Sequence, residues 1–339
     1  MLKTPDERLH PQLHINSYGH YLRCRFGLRV SKVNVDAGFT CPNRDGSKGT
    51  GGCIYCDNES FSPKGTHSVV PLEEQMAAGM AYHRTRLGSQ KFIIYFQKYT
   101  NTYGSIELLS GLYHRALNHP DVIGISVGTR PDSISDEALD LLTEIARTKY
   151  VCLELGLQSV DDAILSQINR GHTVDDFIVA VNRAAGRNFD ICAHLIHGFT
   201  GESSVDFLKA AELMAGLPID SIKLHQLHAV KGTVLAEQFR CGEFIPLTLE
   251  AYVTTIADFL ELLPPRIAIQ RLYGSAPLDI CIAPQWGLKN NQMWYAVINE
   301  LTRRGSWQGC RLPESEPSTL IAERFMRVEN AFLEGSGML

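Results

Sequence analysis

The sequence predicts an α/β fold, a partial (β/α)6 TIM-like barrel with a C-terminal extension. Three observations carry that prediction: short β-branched runs alternate with longer amphipathic stretches, the alternation repeats six times, and 339 residues suit one such domain plus extensions. The hydrophobic fraction of 44% with 20% charged residues is that of an ordinary globular chain able to bury a sizeable core.

The elements follow in order. Val30–Val35 reads as the first strand, followed by a Gly- and Cys-rich loop to about Ser60 and a helix over Pro71–Leu87 with proline at its start. Strand Lys91–Gln97, helix Ser105–Asn118, strand Val122–Gly128 and helix Ser135–Thr148 come next. Strand Tyr150–Gln158 precedes helices from Asp161 and Thr173, strand Phe189–Gly198 precedes helix Ser203–Ala215, and strand Ser221–Leu227 precedes helix Leu247–Leu262. From about Arg266 a tail holds a strand-like run, Ile267–Leu272, and a helix near Gln292–Arg303. The organisation is therefore an N-terminal basic extension over 1–29, a barrel over 30–265, and an extension over 266–339 packed on it.

The net charge of −5 gives no global case for nucleic-acid binding, so any such site must be a local patch. No apolar run approaches the roughly 18 residues needed to span a bilayer, and the polar start MLKTPDERLHPQLH is no secretory signal. Nine cysteines, six of them scattered, point to reduced thiols in a cytoplasmic protein with one metal site.

That site is the segment Cys41, eleven residues, Cys53-Ile54-Tyr55-Cys56, just after the first strand, at the mouth where barrel enzymes place their chemistry. Three thiolates can hold three irons of a cubane and leave the fourth open, and Gly46, Gly49, Gly51 and Gly52 let the loop wrap an inorganic cluster. Zinc is the competing reading, with His67, His10, His14 or His20 as a fourth ligand. A thioredoxin-type role needs only two cysteines at a helix start and fits less well. The loop alone leaves cluster and zinc open.

The stretches DAGFTCPNRDG and GGCIYC, followed in order by YFQKYTNTY, VGTRPD, LELGLQS, INRGHT, HLIHGFTGE and KLHQLHAVKGT, resemble the YhcC-type radical SAM family over roughly residues 16–310. That family is related to the radical SAM domain of the Elongator catalytic subunit. The resemblance implies a radical SAM barrel and a [4Fe–4S] cluster on Cys41, Cys53 and Cys56. It also implies that S-adenosyl-L-methionine is cleaved to a 5′-deoxyadenosyl radical, with flavodoxin or ferredoxin as electron donor. It further implies that Glu154 binds the ribose of SAM, that Gln158 and Ser159 shape that pocket, that Arg170 pairs with the methionine carboxylate, and that Tyr55 lies beside the adenine. Gln97 stands where many relatives carry the Gly-Gly-Glu that contacts the methionine amine. The gap from Cys41 to Cys53 departs from the commonest C-x3-C-x2-C but is usual in this branch, and no acetyltransferase domain follows.

Strand alternation supports a polar interior independently. Cys152, Glu154, Gly156 and Gln158 share one face of their strand while Val151, Leu153, Leu155 and Leu157 share the other. A solvent-facing Glu on an edge strand is the bland alternative, disfavoured because parallel strands are covered on both faces. His194, Lys223 and His225 are polar residues in otherwise apolar neighbouring strands and are the candidate catalytic groups, although a lone strand histidine is more often a hydrogen-bonded core residue. Arg130 and Asp132 read equally as a structural ion pair at the mouth. Cys24, Cys152, Cys192, Cys241, Cys281 and Cys310 form no second motif and are expected as buried free thiols.

Two regions are locally basic. Between Glu74 and Glu107 there is no acid, but His83, Arg84, Arg86, Lys91 and Lys98 interleave with Tyr82, Tyr95, Tyr99 and Tyr103; the N-terminal part carries Arg23, Arg25, Arg29 and Lys32. Such stretches suit RNA loops as well as they suit solvated helix faces. With the Elongator resemblance they favour a tRNA substrate, with chemistry at C5 of a wobble uridine. A small metabolite or tetrapyrrole substrate, a non-catalytic zinc-binding RNA-interaction protein, and a cysteine redox protein are the alternatives.

Overall fold

The computed structural model describes residues 14–57, 70–274 and 276–313. Its centre is a seven-stranded, all-parallel sheet in the order β1 (Val30–Val35), β2 (Lys91–Phe96), β3 (Val122–Thr129), β4 (Tyr150–Gln158), β5 (Asp190–His197), β6 (Ser221–Gln226) and β8 (Ala268–Arg271). The sheet curls into a half-barrel whose outer face is apolar. Val33, Phe92, Ile125, Leu153, Ala193 and Ile222 pack there beneath α2 (Leu72–Leu87), α3 (Ile106–Leu117), α4 (Asp136–Ile145), α6 (Val174–Ala184), α7 (Ser204–Gly216) and α9 (Leu249–Glu261). Helix starts are fixed locally: Ser105, Ser135 and Thr248 each accept a backbone N–H, and Thr173 with Asp176 and Ser203 with Asp206 form capping boxes.

All six expected strand–helix units are present. The run from the tail adds a seventh strand, β8, which pairs in parallel with β6. Short elements with weak sequence signals complete the fold: α1 (Tyr18–Phe26), the pair β7 (Ala229–Val230) and β9 (Cys281–Ala283), and α5 (Asp162–Gln167) and α8 (Val234–Arg240). Helix α10 (Asn290–Arg304) lies on α9, where Arg304 bonds Asp258 at 2.7 Å and Glu300 at 2.7 Å.

Helix α1 closes the base of the barrel. Its Tyr18 and Leu22 join Ile93, Tyr150, Cys152, Cys192 and Ala268 in a second, inner apolar cluster. A phenol network seals it: Tyr18 and Tyr150 hydroxyls meet at 2.9 Å, and Tyr150 and Tyr21 each donate to Asp190 at 2.7 Å. The open seam between β1 and β8 is crossed by Lys32 Nζ donating to Gln270 at 2.7 Å, and the segment before α1 joins β8 where Ile269 N–H donates to the Asn16 carbonyl at 2.8 Å. The lumen opens at the C-terminal ends of the strands. No helix among the described residues is long and apolar enough to cross a membrane.

Candidate active site

The cysteine loop folds over that opening and is clamped on two sides. On one side Asn43 donates to the Asn169 carbonyl at 2.5 Å, Asn169 donates to the Gly52 carbonyl at 2.8 Å, and Ile54 N–H donates to the Ile168 carbonyl at 3.1 Å. On the other, Lys48 bonds Asp132 at 2.5 Å, and Asp132 also takes Arg130 through both oxygens at 2.9 Å. Arg130 and Asp132 are therefore a structural pair, and through Lys48 they anchor the loop. Burial opposes the charge of Asp132, but the hydrogen bonds from Arg130 and Lys48 win and lower its carboxyl to about 2. Gly52 has φ +78°, and a Cβ there would meet Arg44 Nε at 2.8 Å. Glycine lets Arg44 cross beneath the loop and donate to the Cys56 carbonyl at 2.5 Å.

Cys41, Cys53 and Cys56 are free thiols lining one cavity. Asn43 Nδ2 at 3.9 Å and Arg170 Nη1 at 3.8 Å point N–H groups at Cys53 Sγ, the surroundings of a sulfur that carries negative charge as a ligand. Three thiols, no carboxylate or imidazole completing a tetrahedral set with them among the described residues, and a loop open toward the lumen fit a cubane with one free iron. The histidines offered for zinc are elsewhere or outside the described residues. His14 bonds the Ser306 carbonyl at 2.8 Å and His20 sits on Cys24 at 3.4 Å, both at the barrel base, while His10 and His67 are not described.

The cavity gathers all the candidate cluster, SAM-binding and catalytic residues except Ser159. Ser159 is buried and accepts the Asp161 N–H at 3.2 Å, which shapes the turn into α5 rather than the cavity wall. Arg170 reaches the Gly156 carbonyl at 2.6 Å and His172 Nε2 at 2.8 Å, so much of its fork is already engaged within the chain. Burial, then the charge of Arg170, lowers His172 to about 4, which keeps it a neutral acceptor. Gly156 is required: a Cβ would meet Gln158 Nε2 at 2.6 Å and Arg170 Nη2 at 2.9 Å. Gln158 holds φ +81° at a bulge that ends the β4–β5 ladder, turning its side chain into the cavity. Tyr55 packs on Phe199 with ring centroids 5.9 Å apart, and Gln97 lies at the lumen mouth just past β2.

Deeper in the lumen Glu154 is fully buried and both its oxygens are filled. Oε1 accepts from Lys32 at 2.5 Å and Ser126 at 2.6 Å; Oε2 accepts from His194 at 2.7 Å and from Lys223. For the ribose role that the resemblance assigns, these donors would have to give way. Burial works against the charge, but Lys223 and Lys32 hold the carboxyl well below the usual carboxylate range. Burial, partly offset by Glu154, brings Lys223 down to about 8; burial and the charge of Lys223 lower His194 to about 4. Lys223 Nζ also lies 4.0 Å from the centroid of Tyr95. His225, one layer nearer the mouth, is kept neutral by burial and by Arg271.

Several residues of this chamber were not singled out for it. Lys32 shares the lumen face of β1 with Asn34 while Val33 and Val35 face the helices, a period-two signal visible in the strand itself. Arg44 and Arg271 carry no such signal. Cys152, Cys192 and Cys281 are buried as expected, but Cys24 and Cys241 are exposed and Cys310 half-buried, because they fall on surface helices and the tail rather than on strands.

The basic stretches are largely neutralised. Arg84 and Lys91 pair with Asp121 at 2.5 and 3.1 Å, Lys98 with Asp36 at 3.0 Å, Arg25 with Asp190 at 2.8 Å and Lys32 with Glu154. Arg84, Arg86 and Lys91 also lie where α2 ends and β2 begins, at the N-terminal ends of the strands and opposite the cysteine loop. They do not form a basic rim at the mouth.

Comparison with known proteins agrees with the geometry. The Radical SAM superfamily profile matches residues 44–214 and the Radical_SAM C-terminal domain matches residues 219–303. YtqA of Bacillus subtilis is 33% identical over 312 residues, 91% of this chain and 96% of that protein. YhcC of Escherichia coli is 36% identical over 275 residues, 80% and 87% of the two chains. The solved Elp3 of the archaeon Methanocaldococcus infernus superposes with a TM-score of 0.63 at 19% identity, covering 82% of this chain and 64% of that one, a likeness of fold. With three cysteines on one loop over the mouth of the lumen and these relatives, the chain belongs to the radical SAM superfamily and, within it, to the family of YhcC and YtqA.

Proposed function

We propose that this radical SAM enzyme modifies a tRNA base, at C5 of a wobble uridine, presented at the open end of the barrel. The observation that carries the reading is kinship: 187 residues, 54% of this chain, align at 25% identity with a tRNA uridine(34) acetyltransferase of Methanocaldococcus infernus. The chain spans 34% of that protein, so the acetyl transfer in its name is not carried over. Cys41, Cys53 and Cys56 would hold a [4Fe–4S] cluster, which would supply the electron for reductive cleavage of S-adenosylmethionine.

The chain's own groups then have defined tasks. Cys41, Cys53 and Cys56 hold the cluster at the mouth, and the 168–172 segment with Asp132 keeps the loop from opening. Arg170, Gln158 and Tyr55 face the space beside the cysteines and would orient the SAM methionine and adenine moieties. Tyr95, Ile196 and Leu227 line the lumen and limit water where a radical must survive. Lys223, anchored by Glu154, keeps a proton available deep in the chamber, and His194 is fixed on the same carboxylate. The basic stretches lend no support to phosphate contacts at the mouth.

The test is the nucleoside profile of bulk tRNA from cells with and without the gene, together with purified, reconstituted enzyme on the tRNA lacking the modification. A nucleoside that disappears with the gene and returns with enzyme and SAM supports the proposal. An unchanged profile, with enzyme inert toward tRNA, hands the function to a small metabolite or tetrapyrrole.

A further inference from the structure

The lumen contains an excess of cations, and one of them is unmatched. Glu154 is the single acid among the residues lining the cavity, which include Arg44, Lys98, Arg130, Arg170, Lys223 and Arg271. Five of these six are engaged. Lys98 pairs with Asp36 at 3.0 Å, Arg130 with Asp132 at 2.9 Å, and Lys223 with Glu154. Arg44 donates to the Cys56 carbonyl at 2.5 Å and Arg170 to the Gly156 carbonyl at 2.6 Å. Arg271 has neither an acid nor a carbonyl partner among the described residues, yet it is only half-buried at the end of β8 and faces the chamber.

Its position follows from the ladder. Gly156, His194, Lys223 and Arg271 occupy one layer across β4, β5, β6 and β8, directly above the layer of Glu154. A register shift between Ile222 and Lys223 brings Arg271, rather than Gln270, opposite Lys223. Gly274, just beyond, leaves His225 its place beside this layer: a Cβ there would meet His225 Nδ1 at 2.7 Å. A guanidinium without a counter-charge next to a lysine whose single acid is shared with Lys32 and His194 is a site lacking its anion.

We propose that Arg271, with Lys223 beside it, holds a carboxylate in the layer between Glu154 and the cysteine loop, carried by a small molecule that reacts in the lumen, which for a tRNA uridine substrate is a co-substrate because uridine has no carboxylate. The inference rests on the reading that the lumen is the substrate chamber. A planar monoanion matches one guanidinium fork and one ammonium already half-neutralised by Glu154. A phosphate is a poorer match, because its greater charge and additional oxygens call for more donors than one guanidinium and one ammonium already paired with Glu154 supply. At this layer the backbone N–H groups belong to the β5–β6–β8 ladder.

The experiment titrates reconstituted, SAM-saturated enzyme with 13C-acetate and, separately, with inorganic phosphate, followed by NMR, in the native protein and in Arg271→Gln and Arg271→Lys. Iron content, circular dichroism and SAM affinity are measured on each. Acetate should bind the native enzyme at least tenfold more tightly than phosphate. Arg271→Gln should weaken acetate tenfold or more, and Arg271→Lys by less than the glutamine variant. Equal acetate affinity in native and Arg271→Gln enzyme, no acetate binding to the native enzyme, or tighter binding of phosphate would overturn the proposal. So would a variant that weakens SAM but not acetate, which would assign the guanidinium to the cofactor. Acetate binding that depends on Arg271, with an unchanged tRNA nucleoside profile, would retire the tRNA reading and leave the carboxylate site standing.

Discussion

Replacing Glu154 by glutamine tests whether the lumen is held by one buried carboxylate. Its side chain is 0% exposed, against 15% for Lys32 and 6% for Lys223. Lys32 keeps Ser126 at 3.0 Å and Gln270 at 2.7 Å as acceptors, so the loss falls mainly on Lys223. Breaking a buried ion pair from one side costs about 3–5 kcal/mol, since the surviving charge is left uncompensated. The cost has a natural ceiling, because a lysine can shed its proton instead, at roughly 4–5 kcal/mol for an ordinary lysine at pH 7. Urea unfolding of the apoprotein should therefore show Glu154→Gln less stable by about 3–5 kcal/mol at pH 7. The gap should narrow as pH rises through about 8, where Lys223 in the native protein gives up its proton and the pair ceases to exist. Between pH 7 and pH 10 the gap should shrink by about 1 kcal/mol, the linkage of the roughly one pKa unit that separates Lys223 from pH 7. A loss below 1 kcal/mol at pH 7, or a gap that does not change between pH 7 and 10, would refute the reasoning.

Three further outcomes follow from the loop and its clamps. Gly156→Ala should push Gln158 and Arg170 aside, since a Cβ would sit 2.6 and 2.9 Å from their nitrogens. SAM affinity should then fall about tenfold by equilibrium binding, for an overpacking cost of about 1–3 kcal/mol, with iron content near normal. Asp132, held at about 2 against an ordinary 3.8, stabilises the fold fully above pH 4 and loses that contribution as pH falls toward 2. Asp132→Asn apoprotein should lack that part of the acid transition, and the reconstituted variant should release iron to a chelator faster than the native enzyme. Alanine at Cys41, Cys53 or Cys56 should each lower iron and sulfide well below about four per chain while leaving the circular dichroism of the apoprotein unchanged.

The strands and the metal loop were legible because their signals are local. Alternation in Tyr150–Gln158 separates Glu154 from the aliphatic face with no knowledge of the partners, and β4 has those bounds. The substrate side was less legible because its signals are not local. The acid-free stretch from 75 to 106 reads as a basic patch only until Asp121 and Asp36, outside it, fold onto Arg84, Lys91 and Lys98. Lys32 reads as part of a basic N-terminus but points inward with the pleat of β1. Arg271 depends on a one-residue register shift that no periodicity encodes. Helix α1 is faint for a different reason: it buries just Tyr18 and Leu22, one turn apart, so its amphipathic pattern is minimal although Ser17 and Gly27 cap it.

The central claim is that the three cysteines bind a [4Fe–4S] cluster whose open iron accepts SAM. Electron paramagnetic resonance of the anaerobically reconstituted, dithionite-reduced enzyme tests it directly. The account predicts a reduced [4Fe–4S] signal that changes when SAM is added, and its loss when Cys41, Cys53 or Cys56 is replaced. Purified protein that holds zinc without iron or labile sulfide, or a cluster signal indifferent to SAM, would contradict it.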